Sequence, residues 1–220
     1  MNKTELARKI QTLEGLSNEE KSALLELIRG HKKYGLVWEE KPEDIEERLR
    51  EELPILVERN DDKVHPIISD NPAAPNHLII EGDNLAALTE LSYTHAGKID
   101  VIYIDPPYNT GNKDFAYYDD FSDDYRKIPY VDKEDSYRHS KWLSFMSKRL
   151  RIAKSLLSND GVIFISIDDN EYANLKLLCD EIFNESFCLG DIIRITTKRV
   201  KGDTKNINII HDHVLVYSTS

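Results

Sequence analysis

The sequence is short of glycine, cysteine and long apolar runs, and each shortage removes a class of protein. Its nine glycines among 220 residues fall at 15, 30, 35, 82, 97, 111, 161, 190 and 202, no two within two residues. No Gly-x-Gly loop therefore exists anywhere in the chain. The two cysteines, Cys179 and Cys188, lie nine apart with no clustered histidine beside them. This excludes a disulfide framework and a cysteine-based zinc site, and it fits a reducing, cytoplasmic compartment. No stretch approaches the roughly 18 uncharged apolar residues of a membrane span. Met1 to Glu5 lead into a charged helix rather than an apolar signal core, so no membrane association is expected.

What is present describes a globular chain of one ordinary domain plus an appendage: 40% hydrophobic residues, 31% charged residues and a net charge of -11. The acidity is uneven. Residues 1–70 have a net charge of -5, residues 71–136 of -8 and residues 137–220 of +2. A protein that held nucleic acid by general phosphate attraction would be basic throughout, so contact with DNA is expected locally, in the last third. Arg194, Lys198, Arg199, Lys201 and Lys205 form the densest basic run, and they are the DNA-binding candidates. On charge alone, a solvated hairpin explains them as well.

Residues 1–60 read as a helical appendage, with Leu6, Ile10 and Leu13, then Leu24, Leu25, Leu27 and Ile28, at helical spacing. Ser17 and Glu20 form a capping-box start, Gly30 a stop, and Pro42 opens a third helix to about Leu53. Residues 61–76 carry Pro66, Pro72 and Pro75 and read as a linker. From residue 77 the pattern becomes that of an α/β sheet. Buried strands are expected at 77–81, 99–104 and 161–167, and helices at 84–91, 140–157 and 170–183. Trp142, Met146, Leu150, Ala153 and Leu157 make the core stripe of the long helix, and Lys141, Lys148 and Arg151 its solvated face. Segments 191–197 and 209–217, separated by Lys201-Gly202-Asp203, suggest an antiparallel pair.

Most of the chemistry sits in Asp105-Pro106-Pro107-Tyr108, directly after the second strand. That is the carboxyl end, where open α/β sheets place their ligands. Two consecutive prolines fix the backbone and remove two N–H donors, leaving carbonyls and the Asp105 carboxylate as a rigid acceptor surface. An exocyclic NH2 of a nucleobase is a donor that such a surface suits. Tyr108 offers a ring on which a base can stack. A plain strand-ending turn explains the tetrad too. Asp119, Asp120, Asp123 and Asp124 are expected to be loop solubilisers, and no metal site is expected.

The wider context is more specific. The segments 78–85, 105–111, 142–150 and 161–171, together with Lys33-Tyr34-Gly35-Leu36-Val37-Trp38, resemble the amino-methyltransferases of DNA, whose site motif is (D/N/S)PP(Y/F/W), and in particular the modification subunit of type III restriction-modification systems. The resemblance implies an S-adenosylmethionine-dependent, Rossmann-like sheet occupying 77–220. It also implies transfer of a methyl group from S-adenosylmethionine to N6 of an adenine flipped out of double-stranded DNA, with a restriction subunit and a second modification subunit as partners. Asp105, Pro106, Pro107 and Tyr108 would then be catalytic. Asp83 and Asp105 would meet the cofactor, although Asp83 as a helix cap is equally expected. Tyr108, Phe115, Tyr117 and Phe121 would form the base pocket. An Asp at the first motif position points to adenine rather than to N4 of cytosine. The family's Phe-x-Gly-x-Gly loop is missing, so the sheet is expected to be incomplete and the isolated chain weak or inactive. The alternative is a non-catalytic DNA-binding or assembly subunit.

Overall fold

The structure is a computed structural model describing residues 15, 17, 21, 36–41, 43–51, 53–59, 71, 73–75, 77–117, 130–196 and 209–220. The chain divides into two compact units, residues 1–37 and 38–220. The expected helices and caps before residue 36, and much of the 61–76 segment, fall outside the described residues.

In the second unit, helix α1 (Asp44–Glu51) and α2 (Asn84–His95) precede strand β1 (Ile99–Ile104). Helix α3 (Arg138–Leu156), β2 (Leu157–Ile167), α4 (Tyr172–Phe183), a 3-10 turn (Glu185–Phe187), β3 (Cys188–Ile195) and β4 (His211–Ser218) follow. The sheet order is β1-β2-β4-β3, with β1 and β2 parallel and the other two pairings antiparallel. Ile102, Tyr103 and Ile104 stand opposite Ile163, Phe164 and Ile165, and β4 runs back along β2 so that His213 faces Ile167. The expected hairpin is therefore present, with β4 inside the sheet and β3 at its edge.

Alternation along β2 explains the layering. Ile163, Ile165 and Ile167 are fully buried against the helical layer, which is the period-2 signature of a strand with one covered face. Trp142, Met146, Leu150 and Ala153 project from α3 at a helical period and are buried, as are Leu175, Leu178 and Cys179 of α4. The opposite face is open among the described residues. Val101 and Tyr103 of β1 are 61% and 62% exposed, Ile192 of β3 is exposed, and Val162, Phe164 and Val214 are half-buried.

Two expectations are corrected. Residues 77–81 form no strand: Leu78 and Ile79 are exposed, the latter by 94%. An apolar run becomes a strand only where a neighbour pairs with it, and β1 pairs only with β2 among the described residues. Nor is the basic side of α3 merely solvated. Lys148 is bound to Glu46 at 2.5 Å and Lys141 to Asp135 at 3.3 Å, while the exposed Arg151 lies 3.5 Å from Glu181. Arg149, which the sequence marks only as part of the 142–150 segment, is buried and makes a two-pronged pair with Glu43, Nη1 to Oε1 at 2.8 Å and Nη2 to Oε2 at 3.0 Å. That pair belts the stretch before α1 onto α3.

Candidate active site

Strand β1 delivers Asp105 to its carboxyl end, exposed to solvent, and the two prolines and Tyr108 that follow are half-buried. All three peptide units are trans, since there is no cis bond among the described residues. Two tethers hold the segment down. The indole Nε1 of Trp142, fully buried on α3, donates to the Pro107 carbonyl at 2.7 Å. Asn109, also fully buried, donates through Nδ2 to Glu171 at 2.5 Å. The loop then turns at Gly111, where φ is +76° and an added Cβ would run into Lys133, whose backbone N would lie 2.9 Å away.

Tyr108 and Asp105 are coupled. Burial pushes the Tyr108 phenol up, and the neighbouring Asp105 carboxylate and the charge of Asp212 add to the shift. The phenol thus keeps its proton at all ordinary pH. The surroundings are acidic. Asp168 and Asp169 follow β2 and Asp212 lies at the start of β4, all at the end of the sheet that carries Asp105. Burial, then the neighbouring Asp212 and Asp169, pushes the Asp168 carboxyl up against the opposing pull of its bonds from Asn170.

A histidine pair borders this acidic end. His213 Nδ1 lies 2.8 Å from Asp191 and its Nε2 lies 3.3 Å from Asp169, so both ring nitrogens have carboxylate partners. His211 stands edge-on to His213, and the ligating atoms of Asp169, His211 and His213 lie within 4.8 Å of one another. The sequence reading missed this group, though His-x-His on a strand puts both rings on one face.

The other candidates separate. Asp83 is the N-cap of α2, its Oδ1 accepting from Leu85 N at 2.8 Å and Ala86 N at 3.1 Å. It borders a cleft of about 130 Å³ lined by residues including Ile55, Ile80 and Ala87, smaller than the roughly 300–1,000 Å³ typical of ligand pockets. Phe115 and Tyr117 are inside the core, 2% and 1% exposed. Phe115 packs edge-on to Phe145, and Tyr117 donates its hydroxyl to the Lys41 carbonyl at 2.6 Å. Arg194 is exposed on β3 and lies 3.8 Å from Asp212. Phe121, Lys198, Arg199 and Lys201 lie outside the described residues.

The chain is similar to several known proteins. The EcoP15I Mod subunit, a type III restriction-modification enzyme of Escherichia coli, is 37% identical over 215 residues, 89% of this chain and 32% of that protein. The StyLTI Mod subunit of Salmonella typhimurium is 41% identical over 71% of this chain and 26% of its own length. The type II methyltransferase M.KpnI of Klebsiella pneumoniae is 45% identical over 63% and 31%. The chain spans about a third of the length of these relatives or less. Among solved structures, a DNA modification methylase of Thermus thermophilus in its complex with S-adenosyl-L-methionine is similar at 14% identity and a TM-score of 0.43, over 62% of this chain and 51% of that one. Residues 99–220, which hold every strand of the sheet and the Asp105–Tyr108 segment, match the family described as DNA methylase, and the chain belongs to that family.

Proposed function

We propose that this chain carries the methyl-transfer site of a site-specific DNA adenine-N6 methyltransferase, the modification component of a type III restriction-modification system, with S-adenosylmethionine as methyl donor. The observation that carries the reading is Asp105-Pro106-Pro107-Tyr108 held rigidly at the carboxyl end of β1 by Trp142 and Asn109. An adenine amine is a poor nucleophile because its lone pair is delocalised into the ring. Asp105 and the Pro106 carbonyl, accepting its two protons, favour a pyramidal nitrogen with the lone pair free for the methyl carbon. The Tyr108 ring is placed beside them to stack on the flipped base. When bound, S-adenosylmethionine supplies an electrophilic methyl on a sulfonium. Asp105 would then take up the surplus proton of the methylated amine, the sulfonium sulfur being the leaving group that would keep the electron pair.

The charge of the site fits such a donor. Asp105, Asp168 and Asp212 give this end of the sheet a negative field that suits a sulfonium and an amino group and repels phosphate. With its carboxylate capping α2 beside a small cleft, Asp83 contributes at most one edge of a cofactor site. Basic residues from Arg194 to Lys201 are the candidates for DNA phosphates, and a restriction subunit and a second modification subunit are the expected partners.

A second reading concerns completeness. A parallel α/β sheet buries both faces, yet here Val101, Tyr103 and Ile192 are exposed on one face among the described residues. This supports a chain that works with further polypeptide covering that face, as the resemblance implied. The test is methyl transfer from radiolabelled S-adenosylmethionine to duplex DNA by the chain reconstituted with that further polypeptide, with mass-spectrometric analysis of the nucleosides. N6-methyladenine is expected, and Asp105→Ala should abolish it while cofactor affinity stays within a few-fold. N4-methylcytosine as product, or turnover retained in Asp105→Ala, overturns the reading.

A further inference from the structure

The residue that follows the tetrad is not used by the chemistry above, yet it is the more tightly held. Asn109 has φ of +55°, a left-handed conformation that side-chain-bearing residues adopt sparingly and Asn tolerates better than most. Its Nδ2 faces Glu171 Oε1 at 2.5 Å and the Arg138 carbonyl at 3.4 Å, while its buried Oδ1 has no hydrogen-bond partner. Chemistry dictates this orientation. A carboxylate only accepts, so the amide nitrogen must face Glu171 and the oxygen is left over. A buried orphan acceptor calls for an explanation, and strain held at a functional site is one.

Glu171 is itself fully buried, a rare placement for a carboxyl group unless donors surround it. Its Oε2 accepts from Asn174 Nδ2 at 2.7 Å, and His139 Nδ1 lies 2.7 Å from Oε1. The carboxyl thus joins the loop after β1, the first turn of α3 and the start of α4. Pro106 and Pro107 have φ fixed near −65°. With those two angles fixed and the Pro107 carbonyl held by Trp142, the hold on Asn109 restrains the direction of Asp105 and Tyr108.

We propose that Glu171 is the positioning residue of the methyl-transfer site, setting the tetrad through Asn109 without touching the reacting atoms. The proposal rests on the reading of the tetrad as that site.

Hydrogen exchange followed by mass spectrometry on the 220-residue chain tests the positioning without needing activity. The Thr110 and Asn112 amides, bound to Asp114 Oδ2 and Thr110 Oγ1, are the reporters in peptide 105–117. Glu171→Ala should speed exchange there at least tenfold and leave 157–167 within twofold. Glu171→Gln, whose amide oxygen still accepts from Asn109, should stay within threefold of wild type. Asn109→Gly keeps access to positive φ but loses the amide, so it should match Glu171→Ala, and the double variant should be no worse than either. Unchanged exchange at 105–117, or equal acceleration at 157–167, overturns the proposal. Should Glu171→Ala fail to fold, Asn109→Gly against Glu171→Gln decides the matter by the same criteria. In the methylation assay, kcat should fall 10- to 100-fold in Glu171→Ala with KM for DNA and cofactor within threefold, recovering in Glu171→Gln. A change confined to KM overturns the proposal. A reconstituted enzyme that transfers no methyl group defeats the functional reading instead, and the exchange result on the 220-residue chain still decides the role of Glu171.

Discussion

Removing the carboxylate of Glu43 should damage this fold more than removing any exposed acid. Glu43 and Arg149 are 6% and 7% exposed. With Glu43→Ala the guanidinium keeps Asn84 Oδ1 on Nε at 2.5 Å, the Phe145 carbonyl on Nη1 at 2.9 Å and the Phe145 ring 3.5 Å beneath it. It loses its one counter-charge among the described residues. An uncompensated buried charge costs about 3–5 kcal/mol, and the retained bonds place the expectation toward the lower end. For a unit of this size, about 2–4 °C per kcal/mol translates into a fall in Tm of roughly 6–12 °C. The comparison is Glu81→Ala, whose partner Arg59 is 58% exposed and which should cost under about 1 kcal/mol. Urea unfolding followed by tryptophan fluorescence gives both values on one scale. Glu43→Leu/Arg149→Met, which removes both charges, should be less destabilised than Glu43→Ala. If Glu43→Ala and Glu81→Ala prove equal, the pair is not buried in solution and the belt between the α1 stretch and α3 does not exist.

Tyr108→Phe retains the stacking ring, so methyl transfer should stay within tenfold of wild type. Tyr108→Ala should lose the stacking, on the order of 1–3 kcal/mol, read as a rise in KM for DNA; equal activity in the two variants refutes stacking. Acid stability should reflect Glu46, whose carboxyl burial pushes up but whose bonds from Lys148 and the Glu43 backbone carry it to a net value below its ordinary 4.5. A lowered carboxyl stabilises the fold above its unfolded value and loses that contribution as pH falls through its folded one. The Tm difference between wild type and Glu46→Gln should therefore be full above pH 4.5 and shrink below it. Asp168, pushed up by burial, works in the opposite direction. Its contribution is present at low pH and fades as pH rises through the raised value, so Asp168→Asn should gain stability relative to wild type toward neutral pH.

Elements whose side chains form a continuous pattern were legible in the sequence. The α3 stripe from Trp142 to Ala153 is specified by one segment's own periodicity and the β2 strand by one continuous apolar run, and the structure has both. Failures arose where structure depends on a distant partner. The 77–81 run has the composition of a strand but no pairing neighbour among the described residues, and Arg149 sits in a basic-looking stretch whose counter-charge is 106 positions away. Phe115 and Tyr117 follow the motif in sequence, and the pattern of aromatics after a turn is the same whether the rings line a pocket or the core. Their burial against Phe145 and the Lys41 carbonyl is a tertiary fact.

The site itself shows why the tetrad was readable and its support was not. Asp-Pro-Pro-Tyr states its chemistry locally, because the prolines fix φ and the acceptors are adjacent in the chain. The work of aiming those acceptors falls to Trp142 and Glu171, 35 and 62 residues downstream of the atoms they hold. Each carries an ordinary reading in sequence, a core aromatic and a helix-starting acid. What distinguishes them is the partner. Trp142 spends its only donor on a loop carbonyl, and Glu171 surrenders all its solvation to hold an amide in a left-handed turn. A packing role would be served by Phe at the first position and Leu at the second, so the polar atoms are there for the loop.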